Sequence, residues 1–189
     1  MISEVRRVAL PDGADKSPYF KYIGVPLIVP TDQEVEYYTH LKGNPDEAMS
    51  FYDRAKFAYE GENPFKEGCY MLKEGGILIA ANVEMLRTTP EMLEWWLVWH
   101  SLDLLRYALW NPEDHFDATL PDEDRKRITD PNFPVREKMW NLHSSVLESF
   151  NGDKPSHITI NFTSPEKVGF DIRRVGTDTF QLFSGGNSA

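Results

Sequence analysis

With 189 residues, 41% of them hydrophobic and 13% aromatic, the chain can build a sizeable core, which excludes global disorder. There are 30 acidic against 20 basic residues, so the formal net charge is −10, a field that repels phosphate backbones and argues against a nucleic-acid partner. The single cysteine, Cys69, excludes internal disulfides and cysteine-based zinc motifs, and it fits a reducing, cytoplasmic setting.

The first residues, Met1 to Arg7, carry no apolar run of the kind a secretory signal needs. Residues 1–35 hold Pro11, Pro18, Pro26 and Pro30 and read as an irregular arm or edge strand. Residues 45–60 carry a helical pattern, with Asn44 as N-cap, Pro45 in the first turn, and Phe51, Ala55 and Tyr59 at helical spacing. Residues 77–86 read as a strand apolar on both faces. The longest apolar stretch, 76–83, falls far short of a membrane span and contains Asn82, so no membrane partner is expected.

The clearest helix is predicted over 90–110. Thr89 caps it, Pro90 takes the first position, Glu91 and Glu94 lie in the first turns, and Pro112 ends it. Residues 117–138 are charged, hold three prolines and read as a long excursion, with Arg125-Lys126-Arg127 as a solvated loop. Residues 140–150 and 156–163 read as strands joined by the hairpin signal Asn151-Gly152-Asp153. A further hairpin is predicted about Gly176. The pattern is α+β, an antiparallel sheet with one dominant helix, divided into an N-terminal arm and helix over 1–75 and a main domain over 76–189.

Three features point to chemistry. On a continuous helix, His100 and Tyr107 are nearly two turns apart and share a face; the structural alternative is an imidazole bonded to a backbone carbonyl. His115 follows the helix end in Asn111-Pro112-Glu113-Asp114-His115 and is either a presented functional group or a surface residue tuned by Asp114 and Asp117. Alternation along the later strand sets Glu148 on one face with Trp140, Leu142, Ser144 and Val146, and turns His143 away. A carboxylate among apolar neighbours needs a partner or a cation, unless the strand ends first and Glu148 is solvated. One histidine and one glutamate fall short of the three or four ligands a catalytic zinc takes.

Met92-Leu-Glu-Trp-Trp-Leu-Val-Trp-His100 and Leu105-Arg-Tyr-Ala-Leu-Trp-Asn-Pro-Glu-Asp-His115 resemble the 2,4-diacetylphloroglucinol hydrolase and phloretin hydrolase family. Trp140-Asn-Leu-His-Ser-Ser-Val-Leu-Glu148, Ile158–Phe162 and Pro165–Asp171 extend the likeness, which covers roughly 75–189 and, more loosely, the N-terminal part. The resemblance implies a helix-grip fold related to Bet v 1 and START domains, and cleavage of the carbon–carbon bond between a phenolic ring and its acyl group. It also implies one zinc, held by a histidine, a glutamate and a downstream His-x-x-x-Glu pair.

By position, His115 and Glu148 match the first two ligands, Tyr107 matches a tyrosine that contacts the substrate's phenolic oxygens, and His100 matches a pocket-lining histidine. Tyr107 and His100 are therefore the candidate catalytic residues and His115 and Glu148 the candidate metal ligands, with a small phenolic ketone as substrate. No His-x-x-x-Glu follows Glu148, and Ala118 stands where the family pattern has an asparagine. These departures lead to the expectation of a domain incomplete at its C-terminus, its activity as it stands left open, and of an uncovered sheet that aggregates or pairs as a homodimer. The competing reading is a non-catalytic helix-grip module that binds aromatic small molecules.

Overall fold

The computed structural model describes residues 2–3, 8–53, 67–81, 85–150 and 154–174. Two two-residue strands, β1 (Ile2–Ser3) and β2 (Leu27–Ile28), and two 3-10 turns, Ala14–Lys16 and Phe20–Tyr22, make up the N-terminal arm. Helix α1 (Asp32–His40) follows, and sequence reading missed it. The signal was present as Thr31-x-x-Glu34. Thr31 Oγ1 accepts from the Glu34 amide and the Glu34 carboxylate accepts from the Thr31 amide, a reciprocal capping box.

The helix expected over 45–60 is not formed in its described part. Asn44 instead closes an Asx turn by accepting the Asp46 amide at 3.1 Å, and residues 51–53 form a single 3-10 turn. Residues 54–60 of that expected helix lie outside the described residues. β3 (Gly68–Met71) and β4 (Ile77–Ala80) pair antiparallel, so the strand expected over 77–86 is shorter at its described end.

The predicted helix over 90–110 is two helices, α2 (Pro90–His100) and α3 (Leu104–Trp110). The break has a local cause: the Asp103 carboxylate accepts the Arg106 amide at 3.1 Å and caps a new helix start, with Asp103 itself in the extended region. The excursion expected over 117–138 is also structured. β5 (His115–Thr119) runs into it, α4 (Asp122–Thr129) fills its middle and a 3-10 turn spans Val135–Glu137. Arg125 and Arg127 belong to α4 rather than to a solvated loop, and their guanidinium groups donate to the carbonyls of Leu102 and Trp140, each at 2.5 Å. The Lys138 ammonium closes the other end of α4 by donating to the Ile128 and Asp130 carbonyls at 2.7 Å.

β6 (His143–Glu148) lies between β5 and β7 (Ser156–Asn161) in an antiparallel three-stranded sheet. Antiparallel pairing of β6 with β7 is what the Asn151-Gly152 signal predicts, although residues 151–153 are outside the described set. β6 starts at His143 because Asn141 takes a positive φ of 57° and turns the chain. Of the hairpin expected about Gly176, Ile172–Arg174 is a 3-10 turn and the rest lies outside the described residues. The α+β class is observed.

The chain divides into two units, one built on Ile28–Arg87 with the segment from Pro165, the other on Ile2–Leu27 and Thr88–Ser164. In the first, the chain at Leu41–Gly43 bonds across to Cys69, and a Cβ on Gly43 would fall inside the buried Tyr70 ring. Only glycine allows that approach. The second unit holds two apolar clusters. One is Val98, Ile128, Met139 and Leu142; the other is Tyr107, Ala118 and Val146, backed by Ile158 and Ile160. The latter cluster supports the candidate site, since it buries one face of the sheet directly beneath α3.

Candidate functional site

Tyr107, His115 and Glu148 converge at one end of the β5–β6 ladder. His115 and Glu148 are directly opposed across the two strands. A register shift between His115 and Asp117 gives β5 one extra residue, a bulge that re-aims the side chain at the strand's start. The Tyr107 hydroxyl reaches down from α3 and donates to the Glu148 carboxylate.

Above this pair the aromatic rings form a column. The Tyr107 and His115 rings stack at 3.9 Å with 6° between planes, His100 lies 5.7 Å from Tyr107, and Trp96 covers His100 at 4.4 Å. Trp110 meets His115 and His100 edge-on at 4.6 and 5.2 Å. The column explains the dense tryptophans of α2 in part: Trp96 packs the histidines, whereas Trp95 and Trp99 stack on each other at 5.4 Å and Trp99 meets Tyr19 edge-on. His100 and Tyr107 do meet, but across the α2–α3 break rather than along one continuous helix.

Burial sets the protonation states. His115 is 8% exposed and His100 6%, and desolvation pulls each imidazole down to about 4. The Asp114 charge opposes the shift at His115, and the bond to Trp96 opposes it at His100, without cancelling burial in either case. Both rings are therefore neutral at physiological pH. The His115 Nδ1 faces the Tyr107 carbonyl at 3.3 Å and the His100 Nδ1 faces the Trp96 carbonyl at 2.9 Å. A carbonyl only accepts, so Nδ1 carries the proton in each ring and Nε2 keeps its lone pair. For His100 this is the backbone-bonded arrangement raised as the structural alternative. His115 is buried rather than a surface residue. Glu148 is half-buried, and desolvation holds its carboxyl above the usual carboxylate range.

A neutral imidazole with a free Nε2 opposite a carboxylate suits zinc in kind, because metal ligands must be deprotonated and nitrogen and oxygen donors both serve. The set is short in number. Among the described residues no group of three or more His, Cys, Asp or Glu side chains is arranged to hold a metal. His143 and His157 are both exposed on the sheet, in line with the alternation reading that turned His143 away from Glu148. Ala118, at the asparagine position of the family pattern, is 3% exposed and packs against Tyr107 and Val146, so it presents no polar group there.

Sequence reading missed the polar group beside the pair. The Ser149 hydroxyl donates to the Asp114 carboxylate, the Ser149 amide donates to the Asp114 carbonyl at 3.0 Å, and Asn111 Nδ2 donates to Asp114 at 3.3 Å. Asp114 and Ser149 flank His115 and Glu148 in sequence, and that adjacency was the available signal.

The family described as DAPG hydrolase PhiG domain matches residues 49–188. Phloretin hydrolase from Eubacterium ramulus is 28% identical over 174 residues, which are 91% of this chain and 62% of that protein. A 2,4-diacetylphloroglucinol hydrolase from a Pseudomonas species and another from Pseudomonas protegens are each 28% identical over 83 residues, 44% of this chain and 27% and 26% of theirs. The chain thus spans less than two thirds of the length of these relatives. Among the described residues, no helix is long and apolar enough to cross a membrane.

Proposed function

The chain belongs to the DAPG hydrolase family, and from that premise we propose that it acts as a zinc-dependent hydrolase on a small phenolic ketone, cleaving the bond between ring and acyl carbon within a helix-grip fold. The observation that carries this reading is the opposition of His115 and Glu148 across the β5–β6 ladder, with the Tyr107 hydroxyl on Glu148. His115 through Nε2 and Glu148 through its carboxylate would hold the metal, together with donors beyond this pair. Bound zinc would supply Lewis acidity toward an oxygen and bring a water's pKa toward neutrality.

The chain's own groups account for the remaining requirements. In the overall reaction, water oxygen joins the acyl carbon, the ring–acyl bond breaks, and the ring carbon takes the proton, giving a phenol and a carboxylic acid. The ring is a tolerable leaving group only if a proton reaches that carbon and the phenolic oxygens are held as the keto form develops. Tyr107 would hold a proton at such an oxygen; its hydroxyl donating to Glu148 and its ring stacked between His115 and His100 support that role. His100 shapes that wall. Its Nδ1 is engaged by Trp96, so it orients Tyr107 by stacking and adds no charge at neutral pH.

Incubation of the protein with an acylphloroglucinol tests the proposal. The expected outcome is release of the carboxylic acid, lost with chelator and restored by zinc. Undiminished turnover after verified metal removal would contradict the zinc role.

A further inference from the structure

We propose that Asp114 and Ser149 form a positioning latch that fixes the spacing of His115 and Glu148, a reading that rests on the metal role proposed for that pair. Each latch residue is the immediate sequence neighbour of one member of the pair, and each lies on the opposite strand segment from its partner. The latch has two bonds across the strands. The Ser149 hydroxyl donates to the Asp114 carboxylate, and the Ser149 amide donates to the Asp114 carbonyl at 3.0 Å.

Three further contacts make the latch specific. Asn111 Nδ2 donates to the second Asp114 carboxylate oxygen at 3.3 Å, and the Asn111 carbonyl accepts the His115 amide at 3.1 Å. Asn111 Oδ1 also accepts the Glu113 amide at 3.1 Å, which holds the turn through Pro112. The turn that ends α3, the start of β5 and the end of β6 are thereby tied at one point.

The position needs such a device. The ladder loses regular register between His115 and Asp117, so the backbone bonds that normally fix a cross-strand pair are interrupted beside His115. Ser149 is 4% exposed, so its hydroxyl cannot exchange the carboxylate for bulk water without cost. Groups that orient metal ligands from behind in this way typically govern affinity by about ten- to a hundredfold. Asp114 also keeps a negative charge beside His115 while its carboxylate accepts from Ser149 and Asn111.

The test is a zinc titration of the 189-residue chain, with amide hydrogen exchange measured on the metal-free protein. Ser149→Ala and Asp114→Ala are expected to weaken zinc by about tenfold or more. Asp114→Asn, which keeps an acceptor for Ser149, is expected to retain most of the affinity. Thr119→Val removes the hydroxyl bond to the Ser145 carbonyl at the far end of the same ladder and is expected to leave zinc binding unchanged. Wild-type affinity in Ser149→Ala, or equal loss in Thr119→Val, overturns the latch. Metal-free exchange separates this from failure of the zinc role itself. The amides at position 149 and at His115 should exchange faster in Ser149→Ala even if the wild-type chain takes up no zinc, and unchanged protection there overturns the latch independently.

Discussion

His115 and His100 spend burial on neutrality, and that choice has a pH signature. Each imidazole falls from 6.5 to about 4 in the folded chain. Between those values the unfolded chain binds more protons than the folded one, so stability is full above about 6.5 and is lost as pH falls toward 4. Glu148 runs the other way, because its raised carboxyl pKa costs stability as pH rises through that raised value. The histidine contribution predicts that the urea midpoint of metal-free protein drops as pH falls from about 7 to about 5. A flat midpoint would mean the histidines are solvated. Alternation in the sequence placed Glu148 with Val146 and turned His143 outward, because a period of two is rigid along six residues. The Tyr107–Glu148 bond was not legible, since it joins residues 41 apart that no local period relates.

At the scale of elements, the caps decide where the aromatic column forms. Thr89 accepts the Met92 amide at 3.3 Å and starts α2; Asp103 accepts the Arg106 amide at 3.1 Å and starts α3. Thr89 and Pro90 were read correctly from sequence. Asp103 was not, because a continuous run of helix-compatible residues hides a second start, and the carboxylate's preference for its extended conformation won over the longer helix. Asp103→Ala and Thr89→Ala should each cost about 1 kcal/mol of stability by chemical denaturation. Only Asp103→Ala should also diminish the near-ultraviolet circular dichroism of the column, because only that cap fixes Tyr107 against His100 across the break. Equal spectra for the two variants would show that the column does not depend on the break. The helix α4 was illegible for a related reason. Seven of its eight residues are polar, and besides the buried Ile128 it is held by Arg125 and Arg127 reaching carbonyls elsewhere and by Lys138 reaching the carbonyls at its end, which no hydrophobic period reports.

For the molecule as a whole, one open apolar face stands out in the unit built on Ile28–Arg87. Cys69 pairs with Ile79 and Met71 with Ile77 across the β3–β4 ladder, and Ile79, Met71 and Ile77 are 75%, 60% and 59% exposed. The opposite side of β3 carries the buried Tyr70. Apolar residues grouped in this way predict binding of a hydrophobic dye by the folded chain, reduced in Ile79→Lys without a lower thermal midpoint. Dye binding that is unchanged by that substitution would place the apolar surface elsewhere. The same scale frames the chemistry. The chain spans 62% of the phloretin hydrolase it matches, and the described residues bring together one imidazole and one carboxylate, the two donors proposed for zinc. A zinc titration of wild-type protein beside His115→Ala and Glu148→Gln tests this arrangement most directly. Saturable binding of a single zinc by the wild type, abolished in both variants while their folded midpoints remain, is the expected result. Zinc binding that survives both substitutions, or none in the wild type, would contradict it.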